Sequence, residues 1–190
     1  IFIYYDDMYF YGDIFTSKRS RNSFMQKKPF EEINEPNDME TAATVSPDGN
    51  AVVFASDRPD GFGMTDLYII RKLPDGNWSE PQNLGPEVNS HMAEDYPHFS
   101  ADGQYLYFSS DGHPGMGGFD LYLTEWNTEN NIWTKAKNLG YPLNTPADNR
   151  SISFNGDESS AYISRWRPDS HGNLDVYRAD LKERSNLPAL

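Results

Sequence analysis

The chain repeats itself at a period of about 54 residues, and this limits the possible fold more than any other property of the sequence. Ser46-Pro47-Asp48-Gly49 recurs as Ser100-Ala101-Asp102-Gly103 and, degraded, as Asn155-Gly156-Asp157-Glu158, the aspartates stepping by 54 and 55 residues. An apolar run closing on Ser-Asp follows in Val52–Asp57 and Leu106–Asp111; the third copy, Ala161–Ser164, loses the Asp. Next come a glycine-rich loop and an Asp-Leu-Tyr segment, with Asp66, Asp120 and Asp175 again spaced by 54 and 55. Trp78-Ser79-Glu80-Pro81-Gln82-Asn83-Leu84-Gly85 then matches Trp133-Thr134-Lys135-Ala136-Lys137-Asn138-Leu139-Gly140, and Asn89-Ser90 matches Asn144-Thr145. The N-terminus joins in mid-repeat with Phe2–Asp6, Gly12–Phe15, Phe24 in place of Trp, and Ile33-Asn34.

Each repeat reads as four short strands. Strand one, as in Tyr96–Ser100, precedes the Asp-Gly turn. Strand two alternates, Tyr105 and Tyr107 against Leu106 and Phe108, as a half-buried strand does. Strand three is the Asp-Leu-Tyr segment. Strand four holds the Trp, and Pro81 suits an edge, where a missing donor breaks no ladder bond. Asp48-Gly49, Asp75-Gly76 and Asp102-Gly103 signal hairpin turns, because glycine takes positive φ without steric cost. Short four-stranded units at this period are blades of a β-propeller. The expected fold is all-β: a β-propeller of four-stranded antiparallel blades, about 3.5 of them, forming part of a larger ring. The propeller segment covers 1–180, in blade parts 1–39, 40–93, 94–148 and 149–180, with 181–190 a linker or the start of a next domain. The run Ile1–Tyr5 is too short for a secretory leader, and the chain reads as a segment of a longer protein.

Composition removes several functions. Acidic side chains number 29 against 16 basic, giving a net charge of −13 and a pI of about 4.6. That balance argues against nucleic acid as a partner and against electrostatic docking on an anionic membrane. No stretch approaches the ~20 apolar residues of a membrane span, so direct insertion is not expected. The 4 Trp, 12 Tyr and 11 Phe can bury enough area to fold. With no cysteine, disulfides, thiolate catalysis and zinc–thiolate sites are all removed.

The segments Ser46–Gly49, Phe54-Ala55-Ser56-Asp57-Arg58-Pro59-Asp60-Gly61-Phe62-Gly63, Asp66-Leu67-Tyr68 and Trp78–Gly85 resemble the Pro-Asp type of WD40-like propeller repeat, the TolB-like class. Phe108–Asp120 and Asn138–Thr145 are similar to stretches in the propellers of Bacteroidetes OmpA-family envelope proteins, including the PorE-like members. The resemblance runs over about residues 1–180. It implies a non-enzymatic, periplasmic, outer-membrane-associated scaffold with protein partners in an envelope complex of the type IX secretion or gliding kind. In that family the propeller lies between TPR helices and an OmpA-like domain, so peptidoglycan would be reached only through parts outside these residues. No cofactor is implied.

The aspartates Asp48, Asp57, Asp66, Asp102, Asp111, Asp120, Asp157 and Asp175 invite a catalytic or metal reading, since pairs of them flank glycine-rich loops. Recurrence in blade after blade points instead to structure, because an active site is built once and such aspartates accept backbone N–H bonds in turns. Gly115–Gly118 lacks the lysine and helix of a phosphate loop. The Ser-Pro-Asp-Gly turn lacks the Thr-Trp of a sialidase Asp-box. His91, His98, His113 and His171 show no paired metal spacing. Glu40, Glu94 and Asn149, with Asp95 and Asp148 beside two of them, stand just before strand one and could form an acidic ring at the mouth of the central channel, suited to a cation or a basic peptide end. The competing reading makes them strand caps or solvated charges. Loops Arg58–Met64, Gly112–Gly118 and Arg165–His171 differ most between blades, and Arg165-Trp166-Arg167 suits a protein contact or cation–π packing within the blade. The alternative function is a ligand-, glycan- or peptide-binding propeller accessory to an attached hydrolase.

Overall fold

The computed structural model describes residues 2–6 and 12–181. The described residues form strands and turns without a helix, and so none is long and apolar enough to cross a membrane. The expected linker or domain start falls, beyond Leu181, outside the described residues.

Seventeen strands fall into successive blades. The first blade has β1 (Phe2–Asp6), β2 (Asp13–Ser17), a small hairpin of β3 (Arg19–Ser20) and β4 (Ser23–Phe24), and β5 (Lys28–Pro29), in the sheet order β1-β2-β5. The second has β6 (Glu40–Val45), β7 (Ala51–Ser56), β8 (Asp66–Arg71) and β9 (Gln82–Asn83), in that order. The third repeats this with β10 (Glu94–Phe99), β11 (Tyr105–Ser110) and β12 (Asp120–Asn127), its outer position split between β13 (Ile132–Trp133) and β14 (Lys137–Asn138). The fourth has β15 (Asn149–Phe154), β16 (Ser160–Arg165) and β17 (Asp175–Asp180). All pairings within the blades are antiparallel. The chain is a segment of a β-propeller.

The turns between strands one and two follow from the Asp-Gly pairs: Gly49 and Gly103 both sit at φ +73°. In the degraded third copy Glu158 takes that place at φ +54°, a conformation costly for a side-chain-bearing residue. Its carboxylate accepts the Ala101 N–H at 2.6 Å, tying the turn to the preceding blade.

The core lies between blades rather than inside them. Ile14, Phe30 and Ile33 of the first blade pack on Val52, Phe54, Tyr68 and Ile70 of the second. Val53, Ala55, Leu67 and Ile69 of the second meet Phe99, Leu106, Phe108 and Tyr122 of the third. Tyr107, Leu121 and Leu123 of the third meet Ile152, Ala161 and Ile163 of the fourth. This corrects the expected half-buried alternation: in β7 and β11 both faces are covered, because a blade on each side removes the solvent face. Alternation does appear in β16 and β17, whose far face is open. There Tyr162 and Val176 are 40% and 70% exposed, where the equivalent Tyr107 and Leu121 are 3% and 0%.

The short outer strand leaves part of strand three without a neighbour, and an asparagine takes its place. The buried Asn89 accepts the Leu67 N–H at 2.9 Å and donates to the Leu67 carbonyl at 3.0 Å. Asn144 does the same for Leu121 at 2.7 and 2.9 Å.

Candidate functional site

The start of strand one, the end of strand two and the start of strand three meet at one end of each blade, since Glu40 pairs with Ser56 and Ser56 with Asp66, as Glu94 does with Ser110 and Ser110 with Asp120. The loops joining strands two and three crown that end. Asp66 holds its loop by accepting the N–H groups of Phe62 at 2.6 Å and Gly63 at 3.1 Å, and the Asn83 amide at 2.7 Å. Asp120 accepts the N–H groups of Met116 and Gly117, and Asp175 that of His171 at 2.7 Å. Asp57 and Asp111 take the N–H groups of Met39 and Ala93, just ahead of strand one. Asp48, Asp102 and Asp157 each close their own turn on the N–H two residues on, at 3.0 Å. The second loop also lies on the approach to the third blade: Met64 N–H donates to the Met92 carbonyl at 2.7 Å. A side chain at Gly63 would come within 2.7 Å of the Ser90 carbonyl, so the approach requires glycine.

Glu40, Glu94 and Asn149 are brought to equivalent places, but they open strand one rather than precede it, and each is fully buried. The structure therefore gives three interior polar nodes instead of a solvent-facing ring. Their depth follows from the partners that the fold supplies. Glu40 accepts the Ser56 hydroxyl at 2.9 Å and Arg58 Nη2 at 3.3 Å. Arg58 also donates to the Ile33 carbonyl at 2.9 Å, its guanidinium 4.9 Å from the ring centres of both Phe54 and Tyr68. Burial pushes the Glu40 carboxyl up to about 7, with Ser56 and Arg58 pulling partly against it. Its Oε2 has no hydrogen-bond partner. Glu94 accepts Ser110 Oγ at 2.6 Å and the Ser90 N–H at 2.8 Å, and burial raises it too. Asn149 donates to the carbonyls of Thr145 and Ala147.

Asp95 joins two blades by accepting Thr41 Oγ1 at 2.7 Å, and burial raises its carboxyl. Asp148 is the exposed member of the predicted set, with 40% of its side chain accessible and Arg150 3.3 Å away. Among the described residues no group of three or more His, Asp or Glu side chains is placed to hold a metal ion.

The sequence reading singled out the loops at this end, with Trp166 among them, but not how many apolar side chains the end exposes. Phe62, Met64, Tyr96, Met116, Trp166 and Leu174 all expose side chains here. A cavity of about 510 Å³ opens between the third and fourth blades, lined by Tyr96, Asp148, Arg150, Trp166, Asn173 and Leu174. Tyr96 stands at the bulge of β10 with φ +51°, a strained setting for a bulky residue. Arg167 stacks on Tyr177 at 4.8 Å and Arg165 at 5.6 Å, leaving Trp166 between them turned outward, 47% exposed. A blade-to-blade comparison of loop composition pointed to these loops; nothing local in the sequence marked the bulge at Tyr96.

No protein-family model matches the sequence, and no curated protein matches it. Solved structures do. A protein described as TolB from Agrobacterium tumefaciens superposes with a TM-score of 0.57 at 12% identity, over 94% of this chain and 57% of that one. The NanB sialidase from Streptococcus pneumoniae gives a TM-score of 0.51 at 13% identity, over 93% of this chain and 28% of that one. At these identities the likeness is one of fold: a TolB-like propeller, of which this chain spans little more than half the length of the TolB structure.

Proposed function

We propose that this propeller segment is a non-enzymatic scaffold that docks protein partners on the end carrying its strand-two-to-three loops. The observation that carries the reading is the gathering at that end of exposed Phe62, Met64, Met116, Trp166 and Leu174, on loops that differ from blade to blade, with Tyr96 at the bulge of β10. Aromatic anchors with arginine beside them are the side chains that dominate protein contacts. The repeat aspartates accept backbone N–H groups, which supports a structural role for them. The resemblance of Phe108–Asp120 to envelope propellers supports a periplasmic, outer-membrane-associated setting, in a type IX secretion or gliding complex.

Affinity capture from gently solubilised cell envelope tests this, with the full-length protein compared with its Trp166→Ala, Phe62→Ala double variant. Both side chains are half exposed, so thermal stability is expected to be unchanged. The wild type is expected to recover outer-membrane secretion or gliding components that the variant loses by tenfold or about that. Equal recovery by both proteins would overturn the docking face. Recovery of glycan or peptide in place of protein would favour an accessory ligand-binding propeller.

A further inference from the structure

The opposite end of the second and third blades carries one side-chain donor with a single long acceptor contact and a second with none. Two cavities there, of about 520 and 390 Å³, share Ile69, Arg71, Trp126 and Trp133, and so form one interblade cleft. Each volume is in the range of small-molecule sites. Arg71 closes β8, and its guanidinium stacks 5.0 Å from the ring centre of Trp126. Its one side-chain hydrogen bond is a long contact of 3.5 Å to Gln82 Oε1. Among the described residues no carboxylate stands within ion-pair distance of it, in a chain with 29 acidic side chains against 16 basic. Desolvation draws the guanidinium below its ordinary value, as expected for a cation held partly from water without a counter-charge.

The second donor is the indole of Trp133. The residue is 93% buried (7% exposed) in the seam between the blades, edge-on to Trp126 at 5.2 Å, and its Nε1–H has no partner. A buried donor left unmade is costly and needs an explanation. The carboxylates nearest the cleft do not supply one. Asp48 is engaged by Ser46 and Asn50, and Asp102 by Ser100 and Gln104. Glu87 also lines the cavity, and a carboxylate there would accept a hydroxyl or ammonium group.

We propose that this cleft binds a small hydroxy- or amino-carboxylate, Arg71 taking the carboxylate oxygens with the Trp133 indole in the wall of the same cleft. The guanidinium fork matches a carboxylate in shape and charge, and its seat on an indole face fixes its plane in advance. Ile69, Leu84 and the two indoles provide apolar walls for the ligand's carbon skeleton. The net charge of −13 offers an anion no long-range attraction, so affinity has to come from these contacts. The cleft is independent of the loops proposed to bind protein.

The test follows the Trp133 indole N–H cross-peak by ¹H–¹⁵N NMR, assigned through Trp133→Phe, while the chain is titrated with four probes. They are D-glucuronate with D-glucose as its uncharged counterpart, and alanyl-alanine with its C-terminal amide. A saturable shift is expected with at least one carboxylate, about tenfold weaker for its uncharged counterpart and for Arg71→Gln. Response to glucuronate alone identifies a sugar acid, and response to the dipeptide alone a peptide terminus. The proposal is overturned by no saturable shift up to tens of millimolar, roughly the weakest range of specific binding. Equal response to charged and uncharged probes, or full retention by Arg71→Gln, overturns it equally.

Discussion

Glu40 sits among Ser56, Arg58 and the backbone of Ile33 with one carboxylate oxygen unmatched, and its burial sets a pH dependence of known sign. Its folded pKa of about 7 lies above the ordinary value of 4.5, so between those values the folded state holds a proton that the unfolded chain has released. Stability is therefore highest below about 4.5 in this respect and falls as pH rises through 7, by about 3 kcal/mol if the group acts alone. Glu94, raised by the same cause, adds in the same direction. Glu40→Gln is expected to match the wild type near pH 5 and to flatten the slope up to pH 8 in urea unfolding. A slope unchanged by the substitution would show that Glu40 is not its source. The sequence placed Glu40 and Glu94 at equivalent positions but could not show their depth. Their charge suggested the surface, whereas burial is decided by partners supplied from elsewhere: Arg58, 18 residues on, and the Ile33 carbonyl that holds it.

Among the elements, strand four is the least regular, and the structure compensates with a side chain. Asn144 bonds both backbone groups of Leu121 and also donates to Asn138 Oδ1 at 2.7 Å. Asn144→Ala removes three bonds at a fully buried position and is expected to cost about 2–3 kcal/mol, read as a lowered urea midpoint with unchanged m-value. Substituting the exposed Asn130 is expected to change stability by less than about 0.5 kcal/mol. The recurrence of Asn89-Ser90 as Asn144-Thr145 was visible in the sequence, and so were the turns and the order of strands, because Asp-Gly pairs and their period are local signals. The role of the asparagine was not, since it depends on where a neighbouring strand stops. The two-sided burial of β11 was hidden for a related reason: its alternation describes one sheet, and solvent is excluded by the next.

For the molecule as a whole, stability is stored in the three seams between blades. The open face of the fourth blade gives a direct comparison. In the 190-residue segment, Tyr162→Asp, on that face, is expected to leave the thermal midpoint within a few degrees of the unsubstituted segment. Tyr107→Asp, at the equivalent place inside a seam, puts an unpaired charge among Leu121, Leu123 and Ile163 and is expected to abolish cooperative unfolding. Similar midpoints for the two variants would mean that the third seam contributes little.

Because the second and third blades each carry half of two cores and none of their own, the heritable unit of this architecture is the junction rather than the blade. A tandem duplication of one 54-residue stretch inserts one blade together with one new junction of a kind the chain already makes, leaving the other contacts as they were. Copy number can then change in a single genetic event without any surface having to be reinvented. The loops joining strands two and three, which take no part in the junctions' apolar packing, are free to diverge at once toward separate partners.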